Sequence, residues 1–158
     1  ERIRWLLDQL LILDSDPDRV IGLVRLGREL AAAGNTQDLH NIVQQIIPLI
    51  GSVPAPVVRA RIYAEVARFS RIVGRTGDAE AMRANAVEVF SDGGITVAER
   101  ETPDFKRLVS LQLDRDDYAA ATAFVSLVQP PSVRAESMLL IAERAFDSGA
   151  VESARSYA

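Results

Sequence analysis

The chain contains no cysteine. Disulfides, thiolate zinc sites and cysteine nucleophiles are excluded together. A single histidine, His40, leaves little imidazole for metal binding or proton transfer. Long apolar runs are missing too: the leucine-rich stretch Leu6 to Leu13 is interrupted by Asp8 and Gln9, well short of the roughly 20 residues a membrane span needs. No cationic excess is present either. The net charge is −4, which opposes nucleic-acid binding driven by overall charge. Gly93-Gly94 lacks the Gly-Lys-Ser/Thr continuation of a phosphate loop, and no serine sits in a nucleophile-elbow context.

What remains is ordinary globular material. The 158 residues are 48% hydrophobic and 25% charged, which fits one domain, 1–158, needing no metal or disulfide. The chain starts at Glu1 rather than Met and carries no signal peptide, so it reads as a processed form or part of a longer protein. Its compartment is not assigned; the cytoplasm is preferred over the periplasm. Lys106 is the lone lysine among many arginines, a skew that fits a GC-rich genome of bacterial type.

The apolar period is helical almost throughout. A first helix carries Ile3, Leu6, Leu7, Leu10, Leu11 and Leu13, and is read as an N-terminal cap over 1–16. Further helices are expected at about 17–33, 36–50, 55–73, 78–90, 103–113, 118–128 and 132–147, and a ninth from Val151. Asp16 and Thr36 are the expected N-caps of the second and third. Ile95 to Glu101 is expected to hold a short helical turn. The fold class is therefore all-α, an array of antiparallel helical hairpins with about nine helices. The hairpins fall at about 19–50, 55–91, 103–129 and 132–158.

The hairpins share a register when the tight turns at Gly34, Gly77, Asp116 and Gly149 are superimposed. Eight residues before each turn stand Leu26, Phe69, Leu108 and Ile141. The next residues are Gly27, Ser70, Val109 and Ala142, three of them small enough to let helix backbones approach closely. Here the chain resembles the tetratricopeptide repeat family. Leu26-Gly27, Leu30 and Gly34 look like its first helix and turn. Asp116-Asp117-Tyr118 with Ala121 look like its turn and second-helix alanine, and Gly149, Val151, Ala154 and Ala158 look like the same elements again. Uneven turn spacing, Asp116 at a turn glycine, Gln112 at an apolar position and Thr36 at an aromatic one depart from the family pattern of about 34 residues per repeat. The resemblance implies an α-solenoid with a concave groove for peptides.

Two acidic turns read as helix boundaries. Asp14-Ser15-Asp16-Pro17-Asp18 alternates carboxylates as a calcium loop does, but Arg19 and Arg25 occupy the positions where such a loop needs glycine and glutamate. Asp114, Asp116 and Asp117 are read as a helix stop and start. No metal, cofactor or catalytic residue is assigned, and the chain is read as no enzyme.

One basic pattern stands out. Arg25, Arg68 and Arg107 each lie nine residues before a turn, and Arg28 and Arg71 follow three residues after the first two. Lys106 adjoins Arg107. Residues three apart share a helix face. In the resembled family these offsets look into the groove, which makes Arg25, Arg28, Arg68, Arg71, Lys106 and Arg107 ligand-groove candidates. Guanidinium forks suit carboxylates, so the expected partner is a protein or peptide with acidic character or a free C-terminal carboxylate. The opposing account is a solvated face with Glu29 and Glu65 as ion-pair neighbours. Other expectations are self-association through the terminal helices and, as a rival function, a non-catalytic structural or oligomerisation segment of a larger enzyme or regulator.

Overall fold

The computed structural model describes residues 2–90, 95–115 and 117–149. It is all-α apart from one two-residue strand pair. Eight α-helices occur among the described residues: α1 (Arg2–Leu11), α2 (Asp16–Ala32), α3 (Thr36–Ile46), α4 (Pro56–Ile72), α5 (Thr76–Glu88), α6 (Thr102–Leu113), α7 (Tyr118–Ser126) and α8 (Pro131–Asp147). The expected ninth helix lies outside the described residues, as do Asp116 and the Gly93-Gly94 pair. No described helix is long and apolar enough to cross a membrane.

Two compact units divide the chain. Unit 1 comprises Glu1–Ala55 with Ile62–Asn85, and unit 2 comprises Pro56–Arg61 with Ala86–Ala158. The boundaries fall within α4 and near the end of α5.

In unit 1, α2 buries Val20, Leu23, Val24, Leu26, Gly27 and Leu30, the i, i+3, i+4, i+7 spacing of one helix stripe. This stripe packs on α3, which buries Leu39, Ile42, Val43 and Ile46. Full burial of each such side chain is worth about 1.5–3 kcal/mol. Pro48 ends the α-helical ladder, and the chain continues as a 3-10 turn, Ile47–Ser52, that covers both helices. The third helix is therefore shorter than its apolar pattern. Gly27 provides the close approach expected of it: a Cβ there would stand 2.7 Å from Cε2 of the fully buried Phe69 ring on α4. At the other end of α2, Leu10 of α1 occupies the space a Cβ on Gly22 would need.

Caps lie one residue earlier than expected. Ser15, not Asp16, caps α2 and accepts from the Asp18 N–H; Asn35, not Thr36, caps α3 and accepts from the Asp38 N–H at 3.2 Å. Asp16 instead sits in the first turn, favourable beside the helix N-terminus, and pairs with Arg19 at 2.9 Å. The calcium-like motif is thus a capping segment.

The helix C-termini share one turn geometry. Gly34 and Gly74 take φ of 69° and 78°. After each, the next N–H bonds back to a carbonyl five residues earlier: Asn35 to Leu30 at 2.9 Å, Arg75 to Ser70 at 2.7 Å. This is the Schellman arrangement, in which glycine takes the left-handed position without a Cβ penalty. Gly77 is not that turn; it lies inside α5. Gly149 takes φ of 79° after α8, its N–H bonding Phe146, and after α6 the five-residue bond runs from the Asp117 N–H to Gln112 at 3.2 Å. The second hairpin's register is therefore three residues off the expected one.

In unit 2, α7 packs on α6 and α8, and α6 packs on α8. Three phenylalanines centre this core. Phe90 lies 5.1 Å from Phe124, edge to face, and 6.4 Å from Phe105. The short helical turn expected within Ile95 to Glu101 is the 3-10 turn Glu99–Glu101; unexpected is the pairing of Ile95–Thr96 in parallel with Val128–Gln129. Neighbouring Val97 and Val128 are buried, so a short β-rich stretch packs better extended than coiled. Asp117 caps α7 by accepting from the Ala120 N–H at 3.0 Å.

Candidate functional site

The candidate cations divide between the units. Arg25, Arg28, Arg68 and Arg71 belong to unit 1, Lys106 and Arg107 to unit 2. Within unit 1 two of them, Arg28 and Arg68, meet one carboxylate. Glu65 on α4 is fully buried. It accepts from Arg28 Nε at 2.9 Å, with Nη2 at 2.8 Å from the same oxygen, and its other oxygen stands 4.0 Å from Arg68 Nη1. The two guanidinium side chains keep 36% and 42% of their surface in water. A carboxylate withdrawn from water needs such partners, because an uncompensated buried charge costs several kcal/mol. Arg28 thus ties α2 to α4, and Arg68 lies alongside.

Arg25 and Arg71 are exposed, and neither has an ion-pair partner among the described residues. Arg25 lies one turn before Arg28, and Arg71 one turn after Arg68. The turn geometry changes what this pattern means. Counted from Gly34 and Gly74, Arg28 and Arg68 occupy the same place, six residues before the turn, while Arg25 corresponds to Glu65. The expected column Arg25, Arg68, Arg107 is not a structural column. Its appearance came from taking Gly77 as the turn.

In unit 2, Lys106 pairs with Glu136 of α8 at 2.6 Å, with both groups about half exposed. Arg107 is half-buried and engaged within the chain. Arg61 and Asp104 form a further pair at 2.6 Å.

Sequence reading missed the groove between α1 and α2. It has a volume of about 790 Å³ and is lined by Leu6, Leu10, Leu13 and Leu26, with Arg25, Arg28 and Glu29 at its edge. The leucine pattern of α1 is its signal, but one helix's pattern cannot say which apolar positions its neighbour leaves uncovered. His40 lines a separate recess with Thr36, Gln37 and Ile72–Gly74, half-buried as expected of a helix histidine. Among the described residues no three His, Cys, Asp or Glu side chains come together as a metal site.

Comparison with protein-family models, with curated proteins and with solved structures finds no match for this chain.

Proposed function

We propose that this chain is a tetratricopeptide-like array of antiparallel helical hairpins, an α-solenoid, that acts as a non-enzymatic protein–protein interaction or scaffold module. Its partner is a peptide or protein segment with acidic character or a free C-terminal carboxylate. The observation that supports this reading is the imbalance in unit 1: of its four candidate arginines two, Arg28 and Arg68, share the buried carboxylate Glu65, while Arg25 and Arg71 are exposed. Exposed guanidinium groups recognise carboxylates through paired N–H donors.

The test is capture from lysate of the source cell with wild type and with the Arg25→Glu/Arg71→Glu variant. Arg28 and Arg68 are left in place because they compensate Glu65. A partner held by wild type and lost by the variant supports the reading. Equal capture by both contradicts a basic binding face.

A second reading is a structural or oligomerisation segment of a larger enzyme or regulator. It is favoured by Trp5 and Ile12, which are 60% and 70% exposed at the start of unit 1, since exposed large apolar groups mark contact surfaces. Sedimentation equilibrium tests it. A mass rising with concentration, and abolished by Trp5→Glu/Ile12→Glu, supports self-association; a concentration-independent monomer contradicts it.

A further inference from the structure

We infer that the α1–α2 groove receives an amphipathic helical segment of a partner protein, whose acidic side chain pairs with Arg25 and whose basic side chain pairs with Glu29. This rests on the interaction-module reading and names the seat and chemistry of the partner. The floor is apolar: Leu6, Leu10, Leu13 and Leu26 line it. Its volume, about 790 Å³, lies in the range of sites that bury a ligand. Two or three apolar side chains at i, i+3/i+4 and i+7 of a helix fill such a space.

The edge supplies the polarity. Arg25 and Glu29 are both exposed and stand one helical turn apart on α2. They do not neutralise each other: neither makes an ion pair among the described residues, and the order Arg then Glu is the less favourable one for an i, i+4 pair. Arg28, the remaining cation at the edge, is committed to Glu65. The groove therefore presents one available positive and one available negative group flanking an apolar floor. A helix carrying a carboxylate and a cation about one turn apart matches it in a single direction, and the reversed direction sets like charges together.

The experiment pans a random peptide library against the full chain and measures the enriched peptides by fluorescence anisotropy. Enriched sequences are expected to carry Leu, Ile or Met at helical spacing, with Asp or Glu and Lys or Arg about a turn apart. Arg25→Glu is expected to weaken binding about tenfold or more, with an unchanged circular-dichroism melt. Replacing the peptide's acidic residue by Lys should restore affinity for Arg25→Glu and lower it for wild type. Leu13→Glu, placed on the groove floor, should also abolish binding. Peptides that bind Arg25→Glu and Leu13→Glu as tightly as wild type overturn this inference while leaving the broader reading standing. Failure of any peptide to enrich overturns both, and so does preference of the chain for anionic lipid vesicles over every peptide.

Discussion

Charge is handled differently in the two compact units. In unit 1 two arginines converge on Glu65, a carboxylate wholly removed from water. In unit 2 Lys106–Glu136 and Arg144–Asp114 lie at the surface, every partner 40% or more exposed, and the buried charge is a cation, Arg61, which is 8% exposed and pairs with the partly exposed Asp104. Aromatic packing runs the other way. Unit 2 is centred on Phe90, Phe105 and Phe124, whereas unit 1 places a single large ring, Phe69, against a glycine. Surface pairs lie in high dielectric and add little. A buried carboxylate makes its partners structural, so an arginine in unit 1 cannot be read as a ligand group without knowing whether it already has a carboxylate to serve.

That contrast can be broken at several points. The largest effect is expected in the aromatic cluster of unit 2. Phe90→Ala should cost about 3–5 kcal/mol, read by chemical denaturation, because it removes a fully buried ring and both of its ring contacts. A loss under about 1 kcal/mol would show that the cluster does not organise this core. Next comes the close approach in unit 1. Gly27→Val should destabilise by about 1–3 kcal/mol through overpacking against Phe69; a neutral result would mean that the α2–α4 approach is loose.

A smaller pair of changes sharpens the turn assignment. Gly74→Ala places a Cβ on a residue at φ 78° and should cost about 1–2 kcal/mol. Gly77→Ala, three residues on and inside α5, should be neutral or stabilise by up to about 1 kcal/mol. No side chain lies within 4 Å of a Cβ at either position, so the backbone alone decides the sign. Opposite signs support the Gly74 turn, and a destabilising Gly77→Ala with a neutral Gly74→Ala returns the turn to Gly77. Smallest of all is the surface coupling in unit 2. A double-mutant cycle on Lys106 and Glu136 should give about 0.2–1 kcal/mol. A coupling above about 2 kcal/mol would erase the distinction between the units.

Much of the fold was legible because helix periodicity is local. The stripe Val20, Leu23, Val24, Leu30 and the stops at Gly34 and Pro130-Pro131 can be read from a few residues each. Leu26, Phe69, Leu108 and Ile141 are all buried, although counted from Gly74 it is Val66, not Phe69, that stands where Leu26 stands from Gly34. The alignment nevertheless chose the wrong glycine of Gly74-Arg75-Thr76-Gly77, since either can end a helix and only the Arg75 to Ser70 hydrogen bond tells them apart. That three-residue error created the arginine column. Ser15 and Asn35 were passed over as caps because Asp16 and Thr36 beside them are also cap formers, Asp as good as Ser and Thr somewhat weaker than Asn. The strand pair could not be seen locally, since Ile95–Thr96 finds its partner at Val128–Gln129, far along the chain. The site was less legible than the fold. Glu65 looked like one more surface acid, and only tertiary structure reveals that it is buried and shared.

The central claim is that Arg28 is structural while Arg25 is available, and a stability cycle on Arg28→Met and Glu65→Leu tests it most directly. Arg28→Met alone leaves a buried carboxylate poorly compensated and should cost about 3 kcal/mol; replacing both by apolar groups should recover most of that loss. The coupling obtained from urea denaturation should then be about 2–3 kcal/mol, with Arg25→Met within about 0.5 kcal/mol of wild type. A coupling below about 0.5 kcal/mol would contradict the account, because it would mean that Glu65 behaves as a solvated carboxylate and that Arg28 is as free to bind a ligand as Arg25.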